Sequence, residues 1–335
     1  MAELRVGIIG AGQAGERHAV GFAATEGATL VGIADVVETR AAELASRFGT
    51  KAFTDWRAML STGLDILVVS LPHNMHVEPA KAAAERGVHI LMEKPLATTL
   101  EDGKKILEVC KSAGVNFTIS FVHRFREELH IARRWLDEGQ LGHPQILRET
   151  MNGHRGNHLP RWVTQKEVAG GGVLMYSAIH GLDRLRWLAG SEVVSVTAQT
   201  RQYSNDTEVE DGVVALLNFA NGATATLCAN APAYRAQPAH WDTEIYGDKG
   251  MLRVRTRQWA ELSNDHCNEH VDTEKISNKQ GLYYNFARQA KEFVTAIRED
   301  REPFITGEDG LKSLELALAI YRSAESGQSV SLKGV

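Results

Sequence analysis

The stretch VGIIGAGQAGE at residues 6–16 constrains the fold of this chain more tightly than any other feature. Its first four residues form an unbroken apolar run of the length of a buried strand. The pattern G-x-G-x-x-G follows at once, at Gly10, Gly12 and Gly15, and a helix pattern begins behind it. Such a strand, turn and helix bring bare backbone and a helix N-terminus to the phosphates of a dinucleotide. The sequence therefore predicts a dinucleotide-binding unit at its N-terminus.

A carboxylate follows this glycine loop at the distance expected of a ribose ligand. Asp35 ends the second apolar strand, about twenty residues beyond the loop. A carboxylate there accepts a hydrogen bond from the ribose 2′-hydroxyl and repels the 2′-phosphate of NADP. Val36 and Val37 supply no cation to offset that repulsion, so NAD is predicted and NADP is less favoured. The alternative is that Asp35 only caps a helix predicted from Glu38 to Phe48.

The periodicity of the chain changes near residue 123. Before it, apolar strands alternate with amphipathic helices, which predicts a parallel, doubly wound sheet with helices on both faces. After it, strand patterns pair through hairpin signals such as Asn221-Gly222. We therefore predict an α/β protein with a Rossmann domain at residues 1–123 and a second domain at residues 124–335. The second domain is expected to be α+β, with a large, open and mostly antiparallel sheet.

Composition and charge exclude several classes of partner. The net charge is −5, with 43% hydrophobic and 24% charged residues, and this lacks the clustered basic surface of a nucleic-acid-binding protein. No apolar run reaches the length of about 18 residues that a membrane span needs. The first strand begins close to the N-terminus, which leaves no room for a signal peptide, and the three cysteines are scattered. We therefore expect a cytoplasmic location, with no nucleic-acid or membrane partner.

Two further stretches carry residues suited to catalysis. Glu93-Lys94-Pro95 follows a predicted sheet strand, at the edge where doubly wound sheets bind ligands. Three glycines at 170–172 lead into an apolar helix on which Tyr176, His180 and Asp183 share one face by their spacing. Because a lysine at that edge would point into the cofactor crevice, we interpret Lys94 and His180 as catalytic residues. The alternatives are that Lys94 only forms a surface ion pair with Glu93 and that His180 is a buried structural histidine.

Histidines and arginines crowd the loop before the three glycines. His154, Arg155, His158 and Arg161 are not spaced like metal ligands, so recognition of hydroxyl groups on a ligand is preferred to metal binding. Residues 266–270 are predicted to be a polar loop. No metal site is predicted.

These motifs together resemble the glucose–fructose oxidoreductase / inositol dehydrogenase (Gfo/Idh/MocA) family of NAD(P)-dependent sugar oxidoreductases. The matching stretches are GIIGAGQAG, Asp35, SLPHNMH at 70–76, EKPLA at 93–97 and GGGVLMYSAIHGLD at 170–183. The resemblance implies a Rossmann domain, an antiparallel sheet domain that often mediates oligomerisation, and a sugar, cyclitol or related polyol as substrate. It also implies that Lys94 and His180 are catalytic.

The resemblance further implies which residues bind the ligands. Substrate contacts are implied for Arg124, His154, Tyr176 and Asp183. Cofactor contacts are implied for residues in three regions: Gly10, Gly12, Gln13, Ala14 and Asp35; Ser70, Leu71, Pro72, Asn74 and His76; and Glu93, Lys94 and Trp162.

One departure from the family leaves alternative functions open. Many members carry a carboxylate where this chain has Tyr176, which can hydrogen-bond a hydroxyl but cannot stabilise an imidazolium by charge. The leading hypothesis is a dehydrogenase acting on CH–OH groups. One alternative is a lyase or glycosidase that oxidises a sugar transiently with bound NAD, and another is a non-catalytic regulator that senses the cofactor.

The second sheet is expected to mediate self-association. The segment Val213 to Leu217 is apolar on both sides of its strand, so one apolar face would be left exposed unless another surface covers it. A face-to-face homodimer, or a homotetramer built from two such dimers, is therefore predicted.

Overall fold

The computed structural model of the protein describes residues 2–155, 159–204, 206–232, 239–274 and 283–332. The chain divides into two compact units. The first comprises Met1–Val122 and Gly281–Lys312, and the second comprises His123–Gln280 and Ser313–Val335. The division after Val122 lies next to the predicted boundary, but the described residues of 281–312 belong to the first unit. The prediction of one continuous domain over 124–335 missed this return, because a local pattern does not show which unit a helix packs against.

A parallel sheet of six strands forms the centre of the first unit. The strands are β1 (Leu4–Ile9), β2 (Ala28–Ala34), β3 (Lys51–Phe53), β4 (Ile66–Val69), β5 (His89–Met92) and β6 (Phe117–Ile119). Their order is 3-2-1-4-5-6, which is the order of the dinucleotide-binding Rossmann fold. All four residues of β4 are buried, as expected of a central parallel strand. The predicted Rossmann sheet is confirmed.

Helices complete the core of this unit. They are α1 (Gln13–Ala23), α2 (Glu38–Arg47), α3 (Trp56–Leu60), α4 (Val77–Ala84), α5 (Leu100–Ala113) and, from the returning segment, α9 (Tyr284–Arg298). Helix α9 buries Phe293 and Val294 in the same apolar core as Val6 and Ile8 of β1. The returning segment is therefore a structural part of the Rossmann unit.

The second unit contains a mixed sheet of nine strands. They are β7 (Pro144–Asn152), β8 (Val193–Arg201), β9 (Gly212–Phe219), β10 (Thr224–Asn230), β11 (His240–Gly247), β12 (Gly250–Arg255), β13 (Trp259–Asn264), β14 (Asn268–Asp272) and β15 (Val330–Ser331). Their order is 14-13-12-11-7-10-9-8-15. Strands β7 and β10 are parallel, and the other neighbours are antiparallel. The predicted open, mostly antiparallel sheet is confirmed.

Strand β14 corrects the prediction of a polar loop at residues 266–270. It pairs with β13 as an edge hairpin. Its five residues include a single aliphatic side chain, Val271, so the alternation of apolar and polar residues that signals a strand is missing.

Among the described residues, the helices that contribute to the second unit are α6 (Glu127–Asp137), α7 (Lys166–Ala169), α8 (Ile179–Ala189) and the C-terminal part of α10 (Gly307–Ser326). Along β9, Val213, Ala215 and Leu217 are buried while Val214 and Leu216 are exposed. One face of the sheet therefore carries apolar side chains on its open side, as predicted. None of the helices in the described part of the chain is long and apolar enough to cross a membrane.

Candidate active site

The carboxyl ends of four neighbouring strands bring four of the predicted residues to one edge of the Rossmann sheet. Gly10, Asp35, Ser70 and Glu93 directly follow the last residues of β1, β2, β4 and β5. These strands are consecutive in the order 2-1-4-5. Ligands of doubly wound sheets bind at this edge, so the four residues form the framework of a nucleotide site.

Two glycines of the loop, Gly10 and Gly15, occupy positions that need the absence of a side chain. Gly10 has a φ of +91°, and a Cβ there would lie 2.2 Å from the carbonyl oxygen of Ser70. A Cβ on Gly15 would lie 1.8 Å from the carbonyl oxygen of Gly10. By contrast, the space around Gly12 is open to 4 Å, and α1 begins directly behind it without a side-chain cap. Bare backbone and the N–H groups of the first helical turn, which includes Gln13 and Ala14, are thus left for an anionic ligand.

The carboxylate of Asp35 is fixed against the glycine loop. Its Oδ2 accepts a hydrogen bond from the backbone N–H of Ala11 at 2.9 Å, and its Oδ1 accepts one from Val37 at 2.8 Å. Helix α2 is preceded by Val37 as its N-cap, so the alternative that Asp35 only caps this helix is wrong. Each carboxylate oxygen has a second lone pair, which suits Asp35 to a ligand hydroxyl.

The segment after β4 contains two polar side chains in different environments, those of Ser70 and His76. The Oγ of Ser70 is buried and has no hydrogen-bond partner among the described residues. His76 is fully buried, with Nδ1 and Nε2 at 3.2 and 3.1 Å from the carbonyl oxygens of Leu96 and Leu71, and burial lowers its pKa. The contacts of His76 therefore favour a positioning role over the predicted cofactor contact. Between them, Leu71 and Pro72 are partly exposed, and Asn74 is exposed.

Glu93 and Lys94 lie in the turn after β5. The Oε1 of Glu93 is 2.8 Å from Nε2 of His18 on α1, and its Oε2 accepts a hydrogen bond from the backbone N–H of Lys94 at 3.2 Å. Burial lowers the pKa of Lys94, and the charge of Arg17 lowers it further while Glu93 opposes the shift. A lysine whose pKa is lowered can both donate a hydrogen bond to an oxyanion and exchange a proton.

In the second unit, the three glycines allow a distant carboxylate to hold the start of the helical segment that follows them. The Oε2 of Glu210 accepts a hydrogen bond from the N–H of Gly172 at 2.8 Å, and its Oε1 accepts from Leu174 at 3.0 Å and from the Tyr321 hydroxyl at 2.8 Å. A Cβ on Gly171 would lie 1.9 Å from the Tyr321 oxygen, and one on Gly172 would lie 2.0 Å from the carbonyl oxygen of Glu210. Gly171 and Gly172 are required by this close approach.

Tyr176 and His180 do not share the single α-helix that their spacing predicted. Residues Leu174–Ala178 form a π-helical turn, and α8 begins only at Ile179. Tyr176 is partly exposed within this turn, and His180 lies in the first turn of α8 with 7% of its surface exposed. Turns of this kind are frequent at functional sites because they re-aim side chains.

The ring of His180 packs against a second histidine, which the sequence interpretation missed. The ring centroids of His180 and His123 are 4.3 Å apart, and the ring planes differ by 6°. Trp241 lies next to His123, with a centroid distance of 4.6 Å. The candidate base therefore belongs to a buried aromatic cluster.

Arg124 and Asp183 form a buried ion pair. The Nε and Nη2 of Arg124 donate to the two carboxylate oxygens of Asp183 at 3.0 and 2.5 Å, and the side chains are 5% and 1% exposed. The pairing is bidentate and engages both carboxylate oxygens. The Cζ of Arg124 also lies over the ring of Trp187, 5.6 Å from its centroid. The geometry favours a structural role for both residues over the substrate contacts implied by the resemblance.

The remaining candidates lie on loops of the second unit. His154 is partly exposed, and Trp162 is partly exposed within a 3-10 turn, Arg161–Thr164. Arg155 forms an ion pair with Asp206 at 2.6 Å, whereas His158 lies outside the described residues. Within the described ranges, no three His, Cys, Asp or Glu side chains are grouped so as to hold a metal ion.

Comparison with known families covers both units. A family model described as "Oxidoreductase family, NAD-binding Rossmann fold" matches residues 4–121, and one described as "GFO/IDH/MocA C-terminal domain" matches residues 129–253. The chain belongs to the GFO/IDH/MocA family. The resemblance inferred from the motifs is thereby confirmed, as is an NAD-binding Rossmann domain in an oxidoreductase.

Individual GFO/IDH/MocA proteins are similar over nearly the whole chain. The 1,5-anhydro-D-fructose reductase of Ensifer adhaerens is 28% identical in an alignment of 341 positions that covers 98% of each chain. The myo-inositol 2-dehydrogenase of Thermotoga maritima is 27% identical in an alignment of 346 positions that covers 99% of each chain. A levoglucosan dehydrogenase, solved in complex with NADH and L-sorbose, has a TM-score of 0.92 at 26% identity and covers 100% of both chains.

The residues at the edge of the Rossmann sheet fit the cofactor that the family binds. The space at Gly12 admits a pyrophosphate to bare backbone, and the carboxylate of Asp35 can accept from a ribose hydroxyl. The buried Oγ of Ser70, which has no partner among the described residues, is available to a ligand or water. These three features fit a bound NAD.

The hydrogen bonds of Glu210 lead to a prediction about stability. Glu210→Gln should lower the midpoint of thermal unfolding, because an amide nitrogen would face a donor N–H and cost about 1–3 kcal/mol. Tyr321→Phe removes one neutral hydrogen bond and should cost only about 0.5–1.5 kcal/mol, so it serves as the matched control. A Glu210→Gln variant with the same midpoint of thermal unfolding as the native protein would contradict this role of Glu210.

Proposed function

We propose that the protein is an NAD-dependent dehydrogenase that transfers a hydride between a CH–OH group of a sugar, cyclitol or related polyol and nicotinamide. The observation that carries the proposal is the alignment of Gly10, Asp35, Ser70 and Glu93 at the ligand-binding edge of an NAD-binding Rossmann sheet, with Lys94 in the same turn. Its substrate class is supported by relatives named as reductases and dehydrogenases of anhydro sugars and inositols.

In this proposal His180 and Lys94 divide the work on the substrate hydroxyl. His180 accepts its proton, as a histidine with a reference pKa of about 6.5 can do near neutral pH. Lys94 donates a hydrogen bond to the oxygen and stabilises the alkoxide charge that develops there. NAD, when bound, supplies the hydride acceptor. Tyr176, partly exposed in the π-helical turn, and His154 are proposed to bind further hydroxyls of the substrate.

The two units are proposed to divide ligand binding. Residues of the Rossmann unit hold the cofactor, with Gly12, Gln13 and Ala14 at the phosphates and Asp35 at the ribose. The second unit, with His180, is proposed to provide substrate recognition and the surface for self-association, and the cofactor contact of Trp162 stays a prediction.

A screen with purified protein tests the proposed reaction. The protein is incubated with NAD⁺ and a panel that includes myo-inositol, scyllo-inositol, levoglucosan and D-glucosides, and NADH is followed by absorbance. NADH that accumulates in proportion to substrate consumed supports a net dehydrogenase. Turnover without net NADH would favour the lyase or glycosidase with a tightly held cofactor. Binding of NAD⁺ with no turnover of any compound would favour the cofactor-sensing regulator.

The position of Asp35 predicts a preference for NAD over NADP. Asp35→Ser combined with Val36→Arg should reverse the preference, because it removes the charge that repels a 2′-phosphate and adds one that attracts it. Val36 is 85% exposed, so an arginine there displaces no packed side chain. The measurement is calorimetric titration of both cofactors, with Val36→Arg alone as the control. Native protein that binds NADP⁺ as tightly as NAD⁺ would refute the preference.

The open face of the second sheet supports a homodimer. Val214 and Leu216 of β9 are 56% and 44% exposed, and Ile146 of β7 is 53% exposed. The strand register places all three on one face, through Cys228, Thr226 and Thr224 of β10. A second copy of the chain would cover this apolar face and remove it from water, which favours a homodimer.

Light scattering of the native protein and of Leu216→Asp tests this assembly. The native protein should have at least the mass of a dimer at micromolar concentration, and Leu216→Asp should shift it toward monomer. Phe304→Asp, which places the same charge at an exposed apolar residue of the first unit, should leave the mass unchanged. A native protein that is monomeric would rule out the dimer.

A further inference from the structure

His123 is a buried histidine that none of the roles above uses, and it lies against the proposed base. Its ring is stacked on that of His180, with 4.3 Å between centroids and 6° between planes. It also contacts the ring of Trp241 at 4.6 Å and 40°. His123 is 4% exposed and His180 is 7% exposed. The stack therefore covers part of the His180 imidazole with another ring instead of with water.

One ring nitrogen of His123 makes no hydrogen bond to the described residues that would explain a histidine at this position. The Nδ1 of His123 is buried and lacks a hydrogen-bond partner within the part of the chain that the structure describes. Burying a polar atom without a partner is unfavourable, so a purely structural site would favour an aromatic hydrocarbon of similar shape. The feature that His123 does provide is a flat ring in near-parallel contact with His180.

Burial, together with the charges around it, keeps His123 neutral. The cationic or titratable groups that face it are His180 and Arg184 from α8, Arg126 from the adjoining turn and Arg257 from the segment between β12 and β13. Burial, reinforced by these groups, holds the pKa of His123 well below 6.5. The carboxyl group of Glu149 lies 3.4 Å from Arg184, and burial raises the pKa of Glu149 to about 7 although Arg184 opposes the shift. A neutral imidazole can lie flat on His180 in either protonation state of His180, whereas two imidazolium rings would repel.

We propose that His123 is a positioning residue for His180, whose ring it orients and shields from water on one face. The proposal rests on the proposed function, since it takes His180 to be the base. Loss of hydration disfavours the protonated form of an imidazole, so the stack should keep His180 unprotonated, and able to accept a proton, to lower pH than an open histidine would be.

Substitutions at position 123 separate the shape of the ring from its chemistry. In His123→Ala, water reaches His180, and its pKa should rise by about one unit, a tenfold change in proton affinity. In His123→Phe, the flat apolar ring keeps the face covered, and the pKa of His180 should stay close to its native value. The measurement is NMR titration of the His180 ring protons in protein without substrate, assigned by comparison with His180→Ala.

Kinetics provide the second measurement and identify which proposal has failed. With the panel compound that reacts, the acid limb of kcat/KM should move to higher pH in His123→Ala and stay in place in His123→Phe. An unchanged titration and an unchanged limb in His123→Ala would overturn the stacking role alone. An acid limb that survives in His180→Ala would overturn the assignment of the base, and the role of His123 with it.

A third variant keeps the test decisive if His123→Ala does not fold. His123→Leu fills the volume with apolar atoms but offers no flat ring, and its folding is checked by circular dichroism. It should lower kcat at all pH values through poorer orientation of His180, while native affinity for NAD⁺ is retained. Native kcat in His123→Leu would show that the stacked ring does not orient the base.

Discussion

Replacing His180 with alanine is expected to lower kcat by about 10²–10⁴, the contribution of a well-placed general base. The loss should shrink as pH rises, because hydroxide then substitutes for the missing imidazole. Steady-state kinetics over a series of pH values, with the panel compound that reacts, measures both effects. His143→Ala is the matched control, since His143 is an exposed histidine of the same unit, and it should leave the rates unchanged.

The same experiment tests the identity of the base through its pH dependence. In the native protein, kcat/KM should fall on the acid side as the base becomes protonated. The apparent pKa of this limb should disappear in His180→Ala, because no histidine then has to lose a proton before the reaction, and only the steady rise with hydroxide concentration should remain. If the limb remains, another group accepts the proton. Asp183 is a poor candidate for that group, because Arg124 engages both of its carboxylate oxygens.

Replacing Lys94 with alanine is expected to lower kcat by about 10²–10³, comparable with the loss of one oxyanion-stabilising donor. The affinity for NAD⁺ should change little, since the lysine is assigned to the substrate oxygen and not to the dinucleotide. Calorimetry with NAD⁺ and steady-state kinetics measure the two quantities. Lys105→Ala removes an exposed lysine of the same unit and should affect neither. Native kcat in Lys94→Ala would refute the catalytic role.

The lowered pKa of Lys94 gives this prediction a second, independent measurement. The hydrogen bond to the alkoxide requires the protonated lysine, so activity should fall as pH rises through the pKa of Lys94. Because burial and Arg17 lower that pKa from the ordinary 10.5, the fall should begin at lower pH than for an exposed lysine. Lys94→Arg should abolish the alkaline limb, since a guanidinium stays charged, while its different shape reduces the rate.

The Rossmann unit was largely predictable because its signals are local. The glycine loop and the strand that precedes it lie within eleven residues, and Asp35 follows at a spacing that the βαβ geometry sets. His18 was missed although it too has a local signal. It is the one strongly polar residue on the buried face of α1, where Gly15, Ala19, Gly21 and Phe22 are its neighbours. A buried polar residue on an apolar face needs a partner, and here that partner is Glu93.

The features that sequence could not show depend on contacts between distant residues. Gly172 and Glu210 are far apart in the chain, and no local pattern predicts that the Glu210 carboxylate accepts a hydrogen bond from the Gly172 N–H. The stack of His123 on His180 and the pair of Arg124 with Asp183 likewise become visible only when the turn before α6 lies against α8. Spacing predicts which residues share a face of one element. It does not predict which second element covers that face.

The return of α9 to the first unit has a consequence for synthesis of the chain. The core around Val6 and Ile8 is completed by Phe293 and Val294, which leave the ribosome long after Val122. At about 5–20 residues per second, the intervening stretch takes roughly 9–35 s to translate. During that time the N-terminal strands are outside the ribosome with part of their apolar surface uncovered. Final closure of the nucleotide-binding unit is therefore a late event in synthesis, and the uncovered apolar surface of the nascent unit is one that chaperones would bind.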